Sequence, residues 1–188
     1  MTDRERLGKA VGKIAWGYFF IYFNINLGTI DLLPTFVGYI FILNSIDTLA
    51  EEERSTALLK PLLYILIVWE ILKWINGFVN FTPSGYIYTL INTIVIVISI
   101  YYNFQLFTNL SSIAEKLFCK EKDGLLILRT VYTILLTVVS VLGIININED
   151  IMSIISVGLI AVSVVIIIAT SSVLFGFKKS IINGDNVI

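Results

Sequence analysis

The sequence predicts an all-α, polytopic membrane protein: six transmembrane helices arranged as three hairpins, with both termini in the cytoplasm. The 188 residues are 57% hydrophobic and 14% charged, whereas soluble domains are about 45–50% apolar and about 25% charged. The sequence lacks the alternating apolar segments of membrane β-barrels, and inside a bilayer every backbone group must be hydrogen-bonded internally. We therefore expect a single helical domain over residues 1–188, embedded in a lipid bilayer.

Apolar, charge-poor runs predict where the six helices lie. Their approximate ranges are 10–30, 34–49, 59–81, 86–107, 125–147 and 151–177. A bilayer core needs about 20 helical residues, and the second run has 16, which is about 24 Å at about 1.5 Å per residue. That helix therefore either thins the bilayer locally or forms a re-entrant hairpin with the first helix. The third run is interrupted by Glu70 and Lys73.

Proline and capping residues indicate where helices begin. Each proline stands at the start of a proposed helix, where its missing N–H costs little; these are Pro34, Pro61 and Pro83. Thr2 with Glu5, and Ser112 with Glu115, have the spacing of capping boxes. The segment 109–123 carries apolar residues at helical spacing and is predicted to be a cytoplasmic amphipathic link. It either continues the fourth helix or lies in the membrane interface.

The distribution of basic residues predicts the orientation. Twelve of the 13 Lys and Arg residues flank the helices on the side that contains both termini, and Lys73 is the exception. Because cytoplasmic segments of membrane proteins are enriched in Lys and Arg, that side is predicted to be cytoplasmic. The outer turns carry Asp31, Glu149 and Asp150. The expected location is the cytoplasmic (cell) membrane.

The third helix carries a polar stripe. At about 100° per residue, the stripe occupies a sector about 120° wide; its members are Glu70, Lys73, Asn76, Gly77 and Asn80. One interpretation is an ion pair between Glu70 and Lys73 that fixes helix packing, with the asparagines bonded to neighbouring helices. A second is that Glu70 lines a pathway and exchanges protons or binds a cation, with Lys73 tuning its pKa. A third is that a partner protein's own intramembrane charge meets this pair.

Missing residues exclude several classes of enzyme. With no histidine, metalloproteases, hydrolases and haem proteins that depend on histidine are excluded. The sequence has no Gly-rich phosphate loop, and its net charge of −1 gives no general attraction to nucleic acid. We therefore expect no catalytic residue, no metal site, no cofactor and no nucleic-acid partner, and we expect that the protein is not an enzyme.

The first hairpin resembles that of a known group of proteins. The residues that carry the resemblance form a Leu-Pro-x-Phe-x-Gly-Tyr-Ile core: Leu33, Pro34, Phe36, Gly38, Tyr39 and Ile40. This core is similar to the amino-terminal hairpin of a family of small, uncharacterised, multi-pass membrane proteins from Gram-positive anaerobes, especially clostridia. Thr35 stands where that family has Asp or Asn. The resemblance implies a Gram-positive bacterial host and carries no activity with it.

The same hairpin has a physical interpretation. Pro34 starts the returning helix, Asp31 caps it from the outer side, and Gly38 lets the two helices approach. In the alternative interpretation, Asp31 binds a cation at the extracytoplasmic opening of a pathway.

Two hypotheses about function follow from these observations. In one, the protein is a small transporter or channel, or the membrane subunit of one, and the polar stripe borders water. In the other, it is an interaction or regulatory protein that acts through a partner. Because the chain is short and has almost no mass outside the membrane, we expect a homo-oligomer or a complex with a membrane protein partner.

Overall fold

The computed structural model describes residues 2–22, 26–27, 30–31, 34–79, 85–142 and 149–184. The described residues form six α-helices, which confirms the predicted all-α fold. The helices are α1 (Asp3–Tyr22), α2 (Thr35–Glu52), α3 (Leu59–Val79), α4 (Tyr86–Lys116), α5 (Lys122–Leu142) and α6 (Glu149–Asn183). A 3₁₀ helix, Arg54–Leu58, precedes α3, and a two-residue antiparallel pairing joins β1 (Asn26–Leu27) to β2 (Ile30–Asp31).

The first helix differs most from its predicted range of 10–30. It begins at Asp3, because the predicted capping box forms: the Glu5 backbone N–H donates to Thr2 Oγ1 (3.3 Å) and the Thr2 backbone N–H donates to Glu5 Oε2 (3.0 Å). It ends at Tyr22, and β1 and β2 follow. The sequence after Tyr22 is rich in Asn, Gly and Thr, which have low helix propensity. The prediction of one helix through residue 30 is therefore wrong.

The predicted amphipathic link 109–123 is mostly helix. Helix α4 continues to Lys116 without a break, so residues 117–121 alone connect it to α5. The predicted capping box at Ser112 is wrong, because Ser112 Oγ donates to the Thr108 carbonyl (3.1 Å) inside the continuous helix. Leu110 and Ile113 are fully buried in the bundle. This burial favours the continuation of the fourth helix over a segment lying in the membrane interface.

Within the described residues, four helices are long and apolar enough to cross a membrane. They are Arg54–Gly77, Tyr86–Lys116, Lys122–Leu142 and Ser153–Asn183. Helix α1 is outside this group because six charged residues occupy its first 11 positions, which leaves residues 14–22, about 13 Å of apolar helix. Helix α2, already predicted to be short, has 18 residues and ends in an acidic segment.

Helix α1 packs most extensively against α2 and α6, and α4 packs against α5; α3 packs against both α2 and α4. Both described chain ends lie at the same end of the bundle, called here the inner end: Arg4 reaches Gly184, and Gly8 lies against Ile182. Most of the core lies towards this end. The largest fully buried side chains include Tyr102, Tyr132, Phe107, Phe177, Ile14, Ile42, Ile46 and Leu110.

In the opposite, outer half of the bundle, many apolar side chains of the described helices are exposed, and this half is called open below. Large apolar side chains are exposed along the first half of α6, such as Ile151, Ile154, Val157, Ile160 and Val165, and along the first half of α4, such as Ile87, Leu90 and Ile94. Helices α5 and α6 touch at few points. An exterior of this kind matches contact with lipid chains or with another membrane helix.

Candidate functional site

Glu70 and Lys73 form an ion pair on α3. Lys73 Nζ donates to both carboxylate oxygens of Glu70, at 3.0 Å and 3.1 Å. The Glu70 side chain is 18% exposed and the Lys73 side chain 50% exposed. The pair therefore has one member turned towards the bundle and one turned outwards, as the i, i+3 spacing on a helix surface allows.

The rest of the polar stripe is less well placed to act with this pair. Asn76 is partly buried, and among the described residues it has no hydrogen bond to a neighbouring helix. Gly77 is exposed on α3, and Asn80 lies outside the described residues. The structure therefore brings Glu70 and Lys73 together and leaves Asn76 as a neighbour one turn away.

Five tyrosines meet in the middle of the bundle, at the outer edge of the packed core. This tyrosine cluster consists of Tyr18, Tyr22, Tyr39, Tyr102 and Tyr132. Tyr18, Tyr22 and Tyr132 contact one another with ring centroids 5.7–6.1 Å apart, and the Tyr39 ring contacts the Tyr102 ring at 6.0 Å. Helices α1, α2, α4 and α5 each contribute to it, so it joins elements that are far apart in the sequence.

Hydrogen bonds from the tyrosine cluster connect four helices in pairs. The Tyr18 hydroxyl donates to Asn103 Oδ1 at 2.6 Å, which links α1 to α4, and Asn103 Nδ2 donates to the Ser99 carbonyl at 2.8 Å. The Tyr132 hydroxyl lies 2.9 Å from Thr170 Oγ1, which links α5 to α6. Thr170 Oγ1 donates to the Ile166 carbonyl, so Tyr132 is the donor in the link between helices. Buried polar groups paired in this way stabilise one packing arrangement.

The ion pair and the tyrosine cluster are neighbours. The Tyr39 side chain lies near Ser99 and within electrostatic range of the Glu70 carboxylate. The Tyr39 ring contacts the Tyr102 ring, with centroids 6.0 Å apart. The Tyr102 hydroxyl is buried, lies near the Tyr18 side chain, and makes no close hydrogen bond within the described residues. A row of polar groups thus runs from Glu70 through Tyr39 to Tyr102, in the interior of a membrane-type bundle.

The hairpin residues singled out from the sequence are only partly within the described structure. Gly38 lies directly on α1: a methyl group there would overlap the Gly17 carbonyl oxygen and lie 2.7 Å from Ile21 Cγ1. Pro34 stands immediately before α2, in an extended conformation. The Asp31 backbone belongs to β2, and its side chain lies outside the described residues. The structure thus gives close approach at Gly38 a direct physical basis.

Sequence reasoning missed the tyrosine cluster. Tyr18 and Tyr22 are spaced i, i+4 and so share a face of α1, which is the one local signal for it. The other members come from three other helices, and a tyrosine in an apolar run fits a membrane interface as well as a core. The sequence therefore could not separate these five from the chain's nine tyrosines.

A second polar network joins α2 to α4 at the inner end. Lys116 Nζ donates to Glu53 Oε2 at 2.9 Å and to the Glu52 carbonyl at 2.8 Å. Ser55 Oγ donates to Glu53 Oε1 at 3.0 Å. The bond from Lys116, with that from Ser55, holds the pKa of the Glu53 carboxyl below its usual value of 4.5.

Glu53→Gln is expected to flatten the acid dependence of stability. Because the folded-state pKa of Glu53 is lowered, its ionised form stabilises the fold above about pH 4.5, and this contribution is lost as the pH falls through the folded pKa. The side chain is partly exposed, so screening keeps the effect small. Melting temperatures in detergent should differ between wild type and variant at neutral pH and converge in acid. Glu52→Gln, whose side chain is exposed, serves as the control. A constant difference for Glu53→Gln would contradict this account.

Acidic and thiol groups do not form a metal-binding cluster within the described part of the chain. Among the described residues, no three His, Cys, Asp or Glu side chains are placed to hold one metal ion. The free thiol, Cys119, is buried, and burial together with the nearby Glu121 raises its pKa, which makes the thiol less reactive.

Comparisons with protein families, with curated proteins and with solved structures found no match for this chain. The class of protein therefore rests on the fold. Four helices able to cross a membrane, together with an exposed apolar exterior, are the features of a multi-pass integral membrane protein.

Proposed function

We propose that this chain works in the cell membrane as a small transporter or channel, or as the membrane subunit of one. In this proposal, Glu70 is the group that exchanges a proton or binds a cation. The observation that supports it is the position of Glu70, which is largely buried in a membrane-type helix and lies next to the tyrosine cluster, while its partner Lys73 is half exposed. Ionisable groups inside membrane spans commonly mark ion or proton pathways.

The depth of Glu70 adds to this proposal. It lies ten residues beyond Lys60, about 15 Å along the helix axis, which is half of a hydrocarbon core about 30 Å thick. Pairing with Lys73 keeps the two charges together when Glu70 is ionised. Protonation of Glu70 would leave the Lys73 charge unpaired. In this proposal, proton uptake by Glu70 is therefore coupled to a movement of the Lys73 ammonium group. The Tyr39 hydroxyl is suited to pass a proton or to join a cation's coordination shell.

The proposed orientation has both termini in the cytoplasm. Both described chain ends lie at the inner end, together with 12 of the 13 basic residues of the sequence. The positive-inside tendency supports this assignment. The resemblance of the first hairpin supports a Gram-positive bacterial host, and the missing histidine supports a role that is not enzymatic.

Glu70→Gln is expected to lower proton or cation flux roughly tenfold or more, because an amide cannot ionise at the proposed site. The measurement uses purified protein in vesicles that contain a pH-sensitive dye, with an imposed membrane potential. Folded yield, from size-exclusion chromatography, should stay near that of wild type. Glu115→Gln makes the same chemical change at an ion pair with Lys122 at the inner end, and should keep full flux. Unchanged flux in Glu70→Gln, or collapse of its folded yield alone, would favour a purely structural ion pair.

A second candidate is a membrane-embedded interaction or regulatory protein. The observation that favours it is the open outer half, where the first part of α6 exposes apolar side chains on most of its faces. A partner helix would cover these faces. Native mass spectrometry of gently extracted protein separates the candidates. A stoichiometric foreign protein supports the regulatory role, whereas a homo-oligomer or a retained solute supports transport.

A further inference from the structure

We propose that the seam between α1 and α6 binds an anionic phospholipid from the leaflet at the inner end. The seam carries, in order from the inner end, two lysines, an aromatic pair and an apolar cavity. This order of basic, aromatic and apolar groups matches a phospholipid, in which a phosphate headgroup is followed by an acyl chain. The inference depends on the chain being embedded in a membrane and not on the role of Glu70.

The basic part of the seam consists of Lys13 and Lys178. The Lys178 side chain packs across the α1 backbone at Gly12. A Cβ atom added at Gly12 would lie 3.1 Å from Lys178 Cδ and 3.4 Å from Lys178 Nζ. Lys13 follows Gly12 directly and is exposed. Neither lysine pairs with a carboxylate of the described residues. Within the described part of the chain, these two ammonium groups therefore have no paired carboxylate, and they lie at the inner end of the seam, at the level expected for headgroups.

The apolar part of the seam begins one turn deeper. The Trp16 ring meets the Phe175 ring edge-on, with centroids 5.9 Å apart, and lies 5.5 Å from the Phe19 ring. Tryptophan at this depth is typical of the membrane interface. Below it lies a cavity of about 410 Å³. The cavity is lined by Phe19, Val164, Ile167, Ile168 and Ser171.

The length of the seam fits one lipid tail. From Lys178 to Val164 there are 14 residues of α6, about 21 Å at 1.5 Å per residue. One leaflet contributes about half of a hydrocarbon core about 30 Å thick, and the headgroup occupies the remaining length. A soluble anion would use the lysines but not the cavity, and a neutral lipid would use the cavity but not the lysines. The combination of both parts selects an anionic phospholipid.

The test compares lipid retention between variants of equal charge. Protein is reconstituted into nanodiscs of equimolar phosphatidylglycerol and phosphatidylcholine, and native mass spectrometry counts the lipids that stay bound. The double variant Lys13→Gln, Lys178→Gln should lose phosphatidylglycerol retention roughly tenfold relative to wild type, since each basic residue near the headgroups strengthens binding. The control Arg54→Gln, Lys120→Gln removes two exposed charges from the same end and should retain the lipid. Equal retention in the two double variants would overturn the proposal.

A second measurement tests the apolar part without changing any charge. Ser171→Phe fills the cavity and should also lower phosphatidylglycerol retention, while retention equal to wild type would overturn the assignment of the cavity to the acyl chain. A third measurement compares two lipids on the wild-type protein, so its main result does not depend on how a variant folds. Brominated phosphatidylglycerol should quench tryptophan fluorescence more than brominated phosphatidylcholine, and Trp16→Phe should remove this difference. Equal quenching by the two lipids would overturn the proposal.

Discussion

Phe107→Ala is expected to lower the free energy of unfolding by about 3–5 kcal/mol, as for other buried phenylalanines. Phe107 is fully buried. Its ring stacks on Tyr132, with centroids 5.3 Å apart, and packs at the same distance on Tyr18. Removing the ring leaves a cavity beneath the tyrosine cluster, so helices α1, α4 and α5 lose a common contact. Denaturant unfolding in one detergent, followed by tryptophan fluorescence, measures the loss.

Phe118→Ala provides the matched control for this prediction. The same atoms are removed from a side chain that is 72% exposed, in the turn between α4 and α5. Exposed substitutions usually change stability by less than about 0.5 kcal/mol. Similar losses in the two variants would mean that Phe107 does not contribute to the core in the way the structure indicates.

Gly38→Ala is expected to destabilise the first hairpin by about 1–3 kcal/mol, the usual range for overpacking. The added methyl group would overlap the Gly17 carbonyl oxygen and press on the Ile21 backbone nitrogen, 3.0 Å away. These are backbone atoms of a packed helix, so the helices must move apart rather than a side chain rotate. Separation of α1 from α2 would also move Tyr18 on α1 away from Tyr39 on α2, and would thereby disrupt the tyrosine cluster. Melting temperature and folded yield report the effect.

Gly158→Ala is the control for the glycine substitution. Gly158 lies inside α6, and among the described residues nothing would meet an added methyl group within 4 Å. Alanine has the higher helix propensity, so this variant should be as stable as wild type or slightly more stable. If both glycine variants behaved alike, close packing at Gly38 would not explain the result.

Local features were predictable because they depend on residues three or four positions apart. The Thr2–Glu5 capping box and the Glu70–Lys73 ion pair both follow from helical spacing, which needs no knowledge of neighbouring helices. The helix count follows from the apolar runs in the same way. The predicted end of α1 is wrong because the residues after Tyr22, although apolar on average, have low helix propensity. Ser112 was mispredicted because a capping motif inside a continuous helix has no unpaired N–H groups to bond.

By itself, the sequence determined the class of the protein: an all-α membrane bundle with its basic residues at one end and a charged pair within one span. The tertiary structure alone decided which faces meet, and thereby assembled the tyrosine cluster, the contact of Gly38 with Gly17 and the seam between α1 and α6. The physical reason is that helices that are apolar on every side carry no pattern that indicates which side is buried. Partners far apart in the chain, such as Tyr18 and Asn103, are matched by packing shape and hydrogen bonding, which no spacing within one helix encodes.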